Sequence, residues 1–375
     1  VFITSSFTPT SAGAFPGMFL LDLLRRQWSG ADTAGGEPRF IAVVGCGHLG
    51  DVLQLSPLLA ALRERFAPRP LLLAHSSRLA PELLGPLADR HLHFQAGHEA
   101  SVVQWLLRHG ACDLVVRWRY AVTYHPTRHG RLAPDESAFV RGLRPRQRRW
   151  ERWLARFPLD NDGLWRAATG QGMNMYRLAA HTAGFDGCDF EAFRTPAPDH
   201  DPRARWGLPA RFIAVCNSAH RDDLVRSPVT KLLPQATANA VTRRLAGLGW
   251  PLVHLGTDAD EPALEGVAFD LRGRTSVPEA AAILGAASAF VAPEGGLANL
   301  ARAVDGRGVV FFGSTPPEFF GFRANVNIAP TTCGGCWWTT PSYVSQCPRL
   351  DAQPACVGSI SADRIVDAVL AKAAA

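Results

Sequence analysis

Twice along this chain, short apolar runs alternate with stretches of helical periodicity, and that alternation leaves few folds open. Phe40-Ile41-Ala42-Val43-Val44 is a β-branched run of buried-strand type, closed by Gly45-Cys46-Gly47. Val52, Leu55, Leu58, Leu59 and Leu62 then recur at helical spacing up to Arg65-Phe66, and Pro68 and Pro70 precede a strand at Leu71–Ala74. The pattern continues through Leu92-His93-Phe94, a helix at Val102–Leu107 and a strand at Leu114–Val116. A second series starts at Phe212–Cys216. It runs through a helix at Ala236–Leu248, a strand at Leu252–Leu255 and a helix at Val277–Leu284, then Ala289–Val291, a helix at Leu297–Val304 and Val309–Phe312. Strands alternating with helices predict an α/β architecture with parallel, doubly wound sheets. Two such halves place a cleft at the carboxyl ends of both sheets.

Periodicity weakens from about Tyr120 to Arg205, a stretch ending in Pro196-Ala197-Pro198 and Pro202 that reads as the linker. The expected division is residues 1–200, 201–332 and 333–375, the last a cysteine-rich tail with a closing helix at Ala362–Ala373. Residues 1–37 read as irregular. Within the weak stretch, Arg144–Phe157 places Trp150, Trp153, Leu154 and Phe157 on one helical face with arginines opposite. A helix packed on the first domain accounts for it, and a membrane surface or anionic acceptor is the alternative. His125 and His129 fall in an expected loop without ligand spacing, and His48 lies beside Asp51 at the cleft.

At 375 residues and 47% hydrophobic content, the chain can bury two cores. A net charge of +6 is modest, and no nucleic-acid partner is expected. No apolar run reaches the roughly 18 residues that span a bilayer, so membrane contact is at most peripheral. No basic segment precedes the apolar stretch at Phe15–Leu24, so no signal peptide is read and a cytoplasmic protein is expected. The basic residues are nearly all arginine, as codon bias in a GC-rich genome would produce, and Lys231 and Lys372 are the only lysines. That rarity draws attention to Lys231.

Four of the eight cysteines crowd the tail: Cys333-Gly334-Gly335-Cys336, Cys347 and Cys356. A C-x2-C turn brings two sulfurs to one edge of a tetrahedron, and two more cysteines within about twenty residues complete a tetrathiolate metal site. Two disulfides, or four unrelated thiols, are the alternatives.

Three junctions carry residue types suited to chemistry at the cleft. Gly47-His48-Leu49-Gly50-Asp51 opens a helix after the first strand, where Asp51 is a helix-dipole partner or a general base. Lys231 follows a polar loop that contains Ser218, and a cation there suits a phosphate. Glu294-Gly295-Gly296-Leu297 is a second strand–glycine–helix junction, where main chain can approach a phosphate or sugar.

In order along the chain these pieces resemble the lipopolysaccharide heptosyltransferases, family 9 of the glycosyltransferases. Gly50-Asp51-Val52-Leu53 with Pro57 matches the family's G-D segment, and Lys231-Leu232-Leu233-Pro234 matches K-x-W-P with Leu for Trp. Gly273-Arg274-Thr275-Ser276 matches G-x-T-S. Glu294-Gly295-Gly296-Leu297-Ala298-Asn299-Leu300-Ala301 stands for D-[ST]-G-x-x-H-x-A, with Glu for Asp and Asn for His. The tail resembles that of the autotransporter heptosyltransferases, which glycosylate protein serines, bind iron through four cysteines and form large oligomers.

The resemblance implies a GT-B fold, two Rossmann-like domains facing a central cleft, and inverting transfer of a sugar from a nucleotide-diphosphate donor, ADP-heptose by family habit. Asp51 is then the base and Lys231 offsets leaving-group charge. Gly50, Ser218, Lys231, Thr275, Glu294, Gly295, Gly296, Leu297 and Asn299 would hold the donor. Cys333, Cys336, Cys347 and Cys356 would bind a structural metal, iron or else zinc, with no metal needed for catalysis. The acceptor is a protein, a glycan or a lipid-linked glycan, and a homo-oligomer fits the same resemblance. The alternatives are a non-catalytic sugar-nucleotide-binding protein on this scaffold and a sugar-nucleotide epimerase.

Overall fold

The computed structural model describes residues 39–45, 47–109, 112–154, 161–196, 201–219, 229–256 and 262–374. The expectations for residues 1–37, Cys46, Phe157 and much of the proline linker lie outside the described residues.

The first half is built on a five-stranded sheet. In chain order it comprises β1 (Phe40–Gly45), α1 (Leu49–Arg65), β2 (Leu71–His75), α2 (Ala80–Leu84), β3 (Arg90–His93), α3 (Glu99–His109), β4 (Cys112–Arg119) and β5 (Ala121–Pro126). The strand order is β3-β2-β1-β4-β5, parallel except for the last pair. Phe40, Ile41, Ala42 and Val43 are at most 3% exposed, which is why β1 reads as an unbroken apolar run: helices cover both faces of a parallel sheet. The antiparallel β5 was not foreseen. Tyr120 makes the reversal by itself, with φ of +63°, so neither a glycine nor a turn signature marks it. His125 consequently lies in a strand and not in a loop, half-buried with its Nε2 2.9 Å from the Thr123 hydroxyl. His129 is in the turn beyond and exposed.

Pro57 sits inside α1 and removes the N–H that would reach the Leu53 carbonyl. The Ser56 hydroxyl donates to that carbonyl instead, at 2.7 Å, so the helix continues. The weakly periodic stretch folds as α4 (Pro134–Leu154), α5 (Asn161–Thr169), α6 (Met175–Ala183) and α7 (Pro202–Trp206). α4 packs on β5, α5 and α6, burying Val140, Leu143 and Trp150 and leaving Arg144, Arg148 and Arg149 exposed. The packed-helix reading of this segment therefore holds.

The second half carries β6 (Ile213–Val215), α8 (Gln235–Gly247), β7 (Leu252–His254), β8 (Phe269–Asp270), α9 (Val277–Ala286), β9 (Ala289–Pro293), α10 (Gly296–Arg302), β10 (Gly308–Phe311), α11 (Pro317–Phe320) and β11 (Val326–Ile328). Its six strands are all parallel in the order β11-β10-β9-β6-β7-β8. Ser276 caps α9 in reciprocal hydrogen bonds with Glu279, the S-x-x-E signature visible in the sequence. Two short helices, α12 (Ala355–Gly358) and α13 (Ala362–Ala374), end the described chain, and α13 packs against α8, β9 and β10. The strand order reverses between β1 and β4 in one sheet and between β6 and β9 in the other. At such points the carboxyl ends of the strands open a crevice for ligands.

The tail before α12 has little regular structure and is held by rings. Trp337 is 2% exposed, with Tyr120 and Phe320 each 4.8 Å away, edge to face. The Thr230 hydroxyl donates to the Tyr343 carbonyl at 2.9 Å, and the Thr230 N–H donates to the Val344 carbonyl. The tail thus bridges the β4–β5 reversal of the first half and the loop before Lys231 in the second.

Candidate active site

Asp51 lies in the first turn of α1, directly beyond β1. Its Oδ2 accepts the His48 backbone N–H at 2.9 Å, so it caps the helix. Oδ1 makes no hydrogen bond among the described residues. Asp51 is exposed to solvent, although many protein atoms surround its carboxylate. Desolvation raises its pKa above the ordinary aspartate value. The nearby Glu294 charge adds to the rise, while the His48 amide, the His48 ring and Lys231 oppose it.

Glu294 follows β9 and Lys231 precedes α8. The Lys231 Nζ donates to Glu294 Oε2 at 2.7 Å, and the Thr315 hydroxyl donates to the same oxygen at 2.9 Å. Both partners of the pair are less than one-fifth exposed, so it is more than a surface ion pair. The two halves touch here. A Cβ on Gly50 would lie 2.7 Å from Asn299 Nδ2, so a side chain there would displace the Asn299 amide where α1 approaches α10. Asn299 is buried and its Nδ2 donates to the Gly295 carbonyl at 2.8 Å, while its Oδ1 has no partner among the described residues. Gly295 takes φ of +157°, and nothing lies within 4 Å of where its Cβ would be, which leaves the main chain open. Gly296 rests against Leu49, and Leu297 is half-buried behind it.

Asp51, Lys231, Glu294, Gly50, Gly295, Gly296 and Asn299 therefore gather at one place. Among the described residues, Ser218 and Thr275 do not join them by any hydrogen bond. Ser218 is nearly buried with its hydroxyl 3.2 Å from Cys216 Sγ, and Thr275 stands half-buried just before the α9 cap. Two tyrosines escaped the sequence reading. Tyr176, in α6, and Tyr343, in the tail, are both buried. Desolvation, and after it the charges of Glu294 and Asp51 among others, raise their pKa, so the phenols stay neutral beside the acidic pair. The one available signal was rarity, since the chain has only four tyrosines.

The four tail cysteines are free thiols lying in one region. Burial first, then the neighbouring thiols, raises Cys336 to about 11, the neighbours being Cys347 and Cys333. Cys356 is raised to about 12 by burial and then by Cys333, Cys336 and Cys347. Among the described residues, however, no group of three or more His, Cys, Asp or Glu side chains has its donor atoms arranged for a metal. Neutral thiols have no charge to draw them to one point. The donor set still has the soft, four-sulfur chemistry that iron and zinc take.

The architecture is an α/β fold with two parallel-sheet domains, similar to that of GT-B heptosyltransferases. Residues 188–350 match glycosyltransferase family 9 (heptosyltransferase). The glycosyl transferase family 9 protein from Veillonella parvula DSM 2008 superposes with a TM-score of 0.57 at 12% identity, covering 92% of this chain and 99% of that one. TibC, an iron-containing dodecameric glycosyltransferase from enterotoxigenic E. coli H10407, superposes with a TM-score of 0.56 at 18% identity over 90% of this chain and 76% of its own. TibC has also been solved in complex with ADP-D-beta-D-heptose. E. coli ADP-heptose lps heptosyltransferase II gives 0.51 at 13% identity, with coverage of 90% and 98%. At these identities the likeness is one of fold. No curated protein matches the chain.

Proposed function

We propose that the chain is a glycosyltransferase that moves a sugar, heptose from ADP-heptose, to an acceptor hydroxyl with inversion. The observation that carries this reading is the meeting of Asp51 from one half with Lys231 and Glu294 from the other, at the carboxyl ends of both sheets. The acceptor oxygen attacks the anomeric carbon as its proton passes to Asp51 Oδ1, and the bond to the diphosphate breaks. A carboxylate whose pKa is raised toward the working pH is the better base. Lys231 supports departure of the diphosphate by offsetting its growing charge. Glu294 holds Lys231 in place and accepts hydrogen bonds from sugar hydroxyls. Asn299, Gly295, Gly296 and Leu297 shape the donor side, with Ser218 and Thr275 further out. The match to family 9 over residues 188–350, which includes Lys231 and Glu294, supports this assignment.

The tail is proposed to hold one structural metal through Cys333, Cys336, Cys347 and Cys356. Iron is favoured by the iron-containing fold relative, with zinc as the other candidate. Four thiolates would complete the coordination shell, so the metal serves folding and not transfer. The acceptor is a protein, a glycan or a lipid-linked glycan, a homo-oligomer is proposed on the same resemblance, and a cytoplasmic location follows from the sequence reading. Among the described residues no helix is long and apolar enough to cross a membrane.

The test is acceptor-dependent release of nucleoside diphosphate, preceded by a thermal-shift screen across sugar nucleotides. Stabilisation by ADP-sugars with turnover on an added acceptor supports the reading. Binding without turnover on any protein, glycan or lipid-linked acceptor would make the chain a sugar-nucleotide-binding protein. For the tail, metal below about a tenth of an equivalent in stable, freshly purified protein would leave the thiols without a metal role.

A further inference from the structure

Three histidines that the transfer reading does not use cluster at the outer edge of the first sheet. His75 ends β2, and His91 and His93 lie two apart on β3. The parallel register pairs His75 with His93 and Leu73 with His91. Residues two apart, and residues paired across strands, share a sheet face, so all three rings leave the same side. The His75 ring centre lies 5.4 Å from that of His91 and 5.6 Å from that of His93, edge to face in both cases. Two imidazoles on one tetrahedral zinc, with N–Zn bonds of about 2.0–2.1 Å, have ring centres on the order of 5 Å apart.

The ring nitrogens point the same way. His75 is 2% exposed, and its Nδ1 lies 2.7 Å from the Ser77 carbonyl oxygen. A carbonyl only accepts, so Nδ1 carries the hydrogen and Nε2 keeps a lone pair. This is the carbonyl support that orients metal-bound histidines. Among the described residues His75 Nε2 has no partner, and neither do Nδ1 and Nε2 of His91, although all three atoms are shut away from solvent. Buried ring nitrogens without partners are uncommon in folded proteins and call for one.

We infer that His75, His91 and His93 form a second metal site, separate from the cysteine tail, for a divalent cation of the zinc class with one position left for water. Imidazole ligands suit zinc, copper and nickel and disfavour magnesium and calcium. The three donors do not converge as the rings now stand, in keeping with the absence of a metal-ready group among the described residues. The site therefore requires the imidazole rings to turn about their side-chain torsions when the ion binds. The Gly47 N–H donates to the Ser76 hydroxyl at 3.3 Å, so the residue next to His75 is tied to the loop that leads into α1. A bound ion would stiffen that loop from outside the reacting centre.

The experiment is a titration of the full-length protein with Zn2+ and, in parallel, Co2+, comparing wild type with His91→Ala/His93→Ala and with Cys333→Ser. The histidine site requires one more equivalent in wild type than in the histidine double variant, and its retention in Cys333→Ser. Single substitutions at His91 or His93 should weaken this equivalent about 10–100-fold. Cobalt there should give ligand-field bands without the intense thiolate charge-transfer absorption of a cysteine site. Equal stoichiometry and affinity in wild type and double variant would overturn the proposal. Should the variants fail to fold, peptide mass spectrometry of wild type after diethyl pyrocarbonate treatment decides. Zn2+ must then slow modification of His91 and His93, and unchanged rates at saturating Zn2+ would equally overturn the site.

Discussion

The cleft and the cysteine tail are assembled on opposite principles. In the cleft, Asp51 stands in the first turn of α1 and Glu294 just beyond β9, while Lys231 lies in the turn before α8, and all three are already bonded. Asp51 caps α1, and Glu294 holds both Lys231 and Thr315. The tail offers Cys333, Cys336 and Cys347 from irregular chain and Cys356 from the one-turn α12, and Trp337 packs there against Tyr120 and Phe320. A site on rigid elements is preorganised without its ligand, which transfer chemistry needs. A site on a loop gains its geometry from what it binds, which suits a structural metal.

The sharpest break of this contrast is Asp51→Ala. It should lower transfer about 10²–10⁴-fold and leave donor affinity near wild type, because the base acts on the acceptor. Steady-state turnover with calorimetry of donor binding checks it, and a variant keeping half its activity would reduce Asp51 to a helix cap.

Trp337→Ala tests the other side. Removal of a buried aromatic of this size should cost about 3–5 kcal/mol in urea unfolding. A cost below about 1 kcal/mol would mean that the rings do not hold the tail and that the cysteines must.

A third prediction concerns acid. His254 in β7 is 2% exposed, and burial lowers its pKa to about 4; Arg272 adds to the shift and Asp270 opposes it. The unfolded chain, with an ordinary value near 6.5, takes up its proton first as pH falls. Stability from the neutral imidazole is therefore complete above pH 6.5 and lost between 6.5 and 4, up to about 3 kcal/mol in all. Urea midpoints at pH 7 and pH 5 should differ for wild type, and the difference should shrink in His254→Leu.

The smallest expected effect is that of Lys231→Ala. Loss of one charge-assisted hydrogen bond to a phosphate, about 1.5–3 kcal/mol, predicts about a 10–100-fold loss in donor affinity and turnover. Unchanged donor affinity in a folded variant would leave Lys231 as a partner of Glu294 only.

Much of the scaffold was legible in the residues themselves. The buried runs at Phe40–Val44 and Leu71–Ala74, the helical spacing after Asp51 and the Ser276–Glu279 cap are local signals, and local chemistry produces them. The strand–glycine–helix junctions also marked Asp51 and Glu294 as cleft candidates, because such junctions fall at the carboxyl ends of parallel strands, and the rarity of lysine marked Lys231. Other features depended on distant chain. β5 reverses on Tyr120, a residue with no turn propensity, whose ring packs against Trp337 more than two hundred residues later. The Lys231–Glu294 pair joins residues 63 positions apart in the second half, and the closeness of Gly50 to Asn299 and the two buried tyrosines beside the carboxylates arise only when the two halves meet. The three histidines share a face only through the β2–β3 register. Periodicity along a chain records which face of an element is buried. It carries no information about which other element does the burying, and the tertiary structure alone decides that.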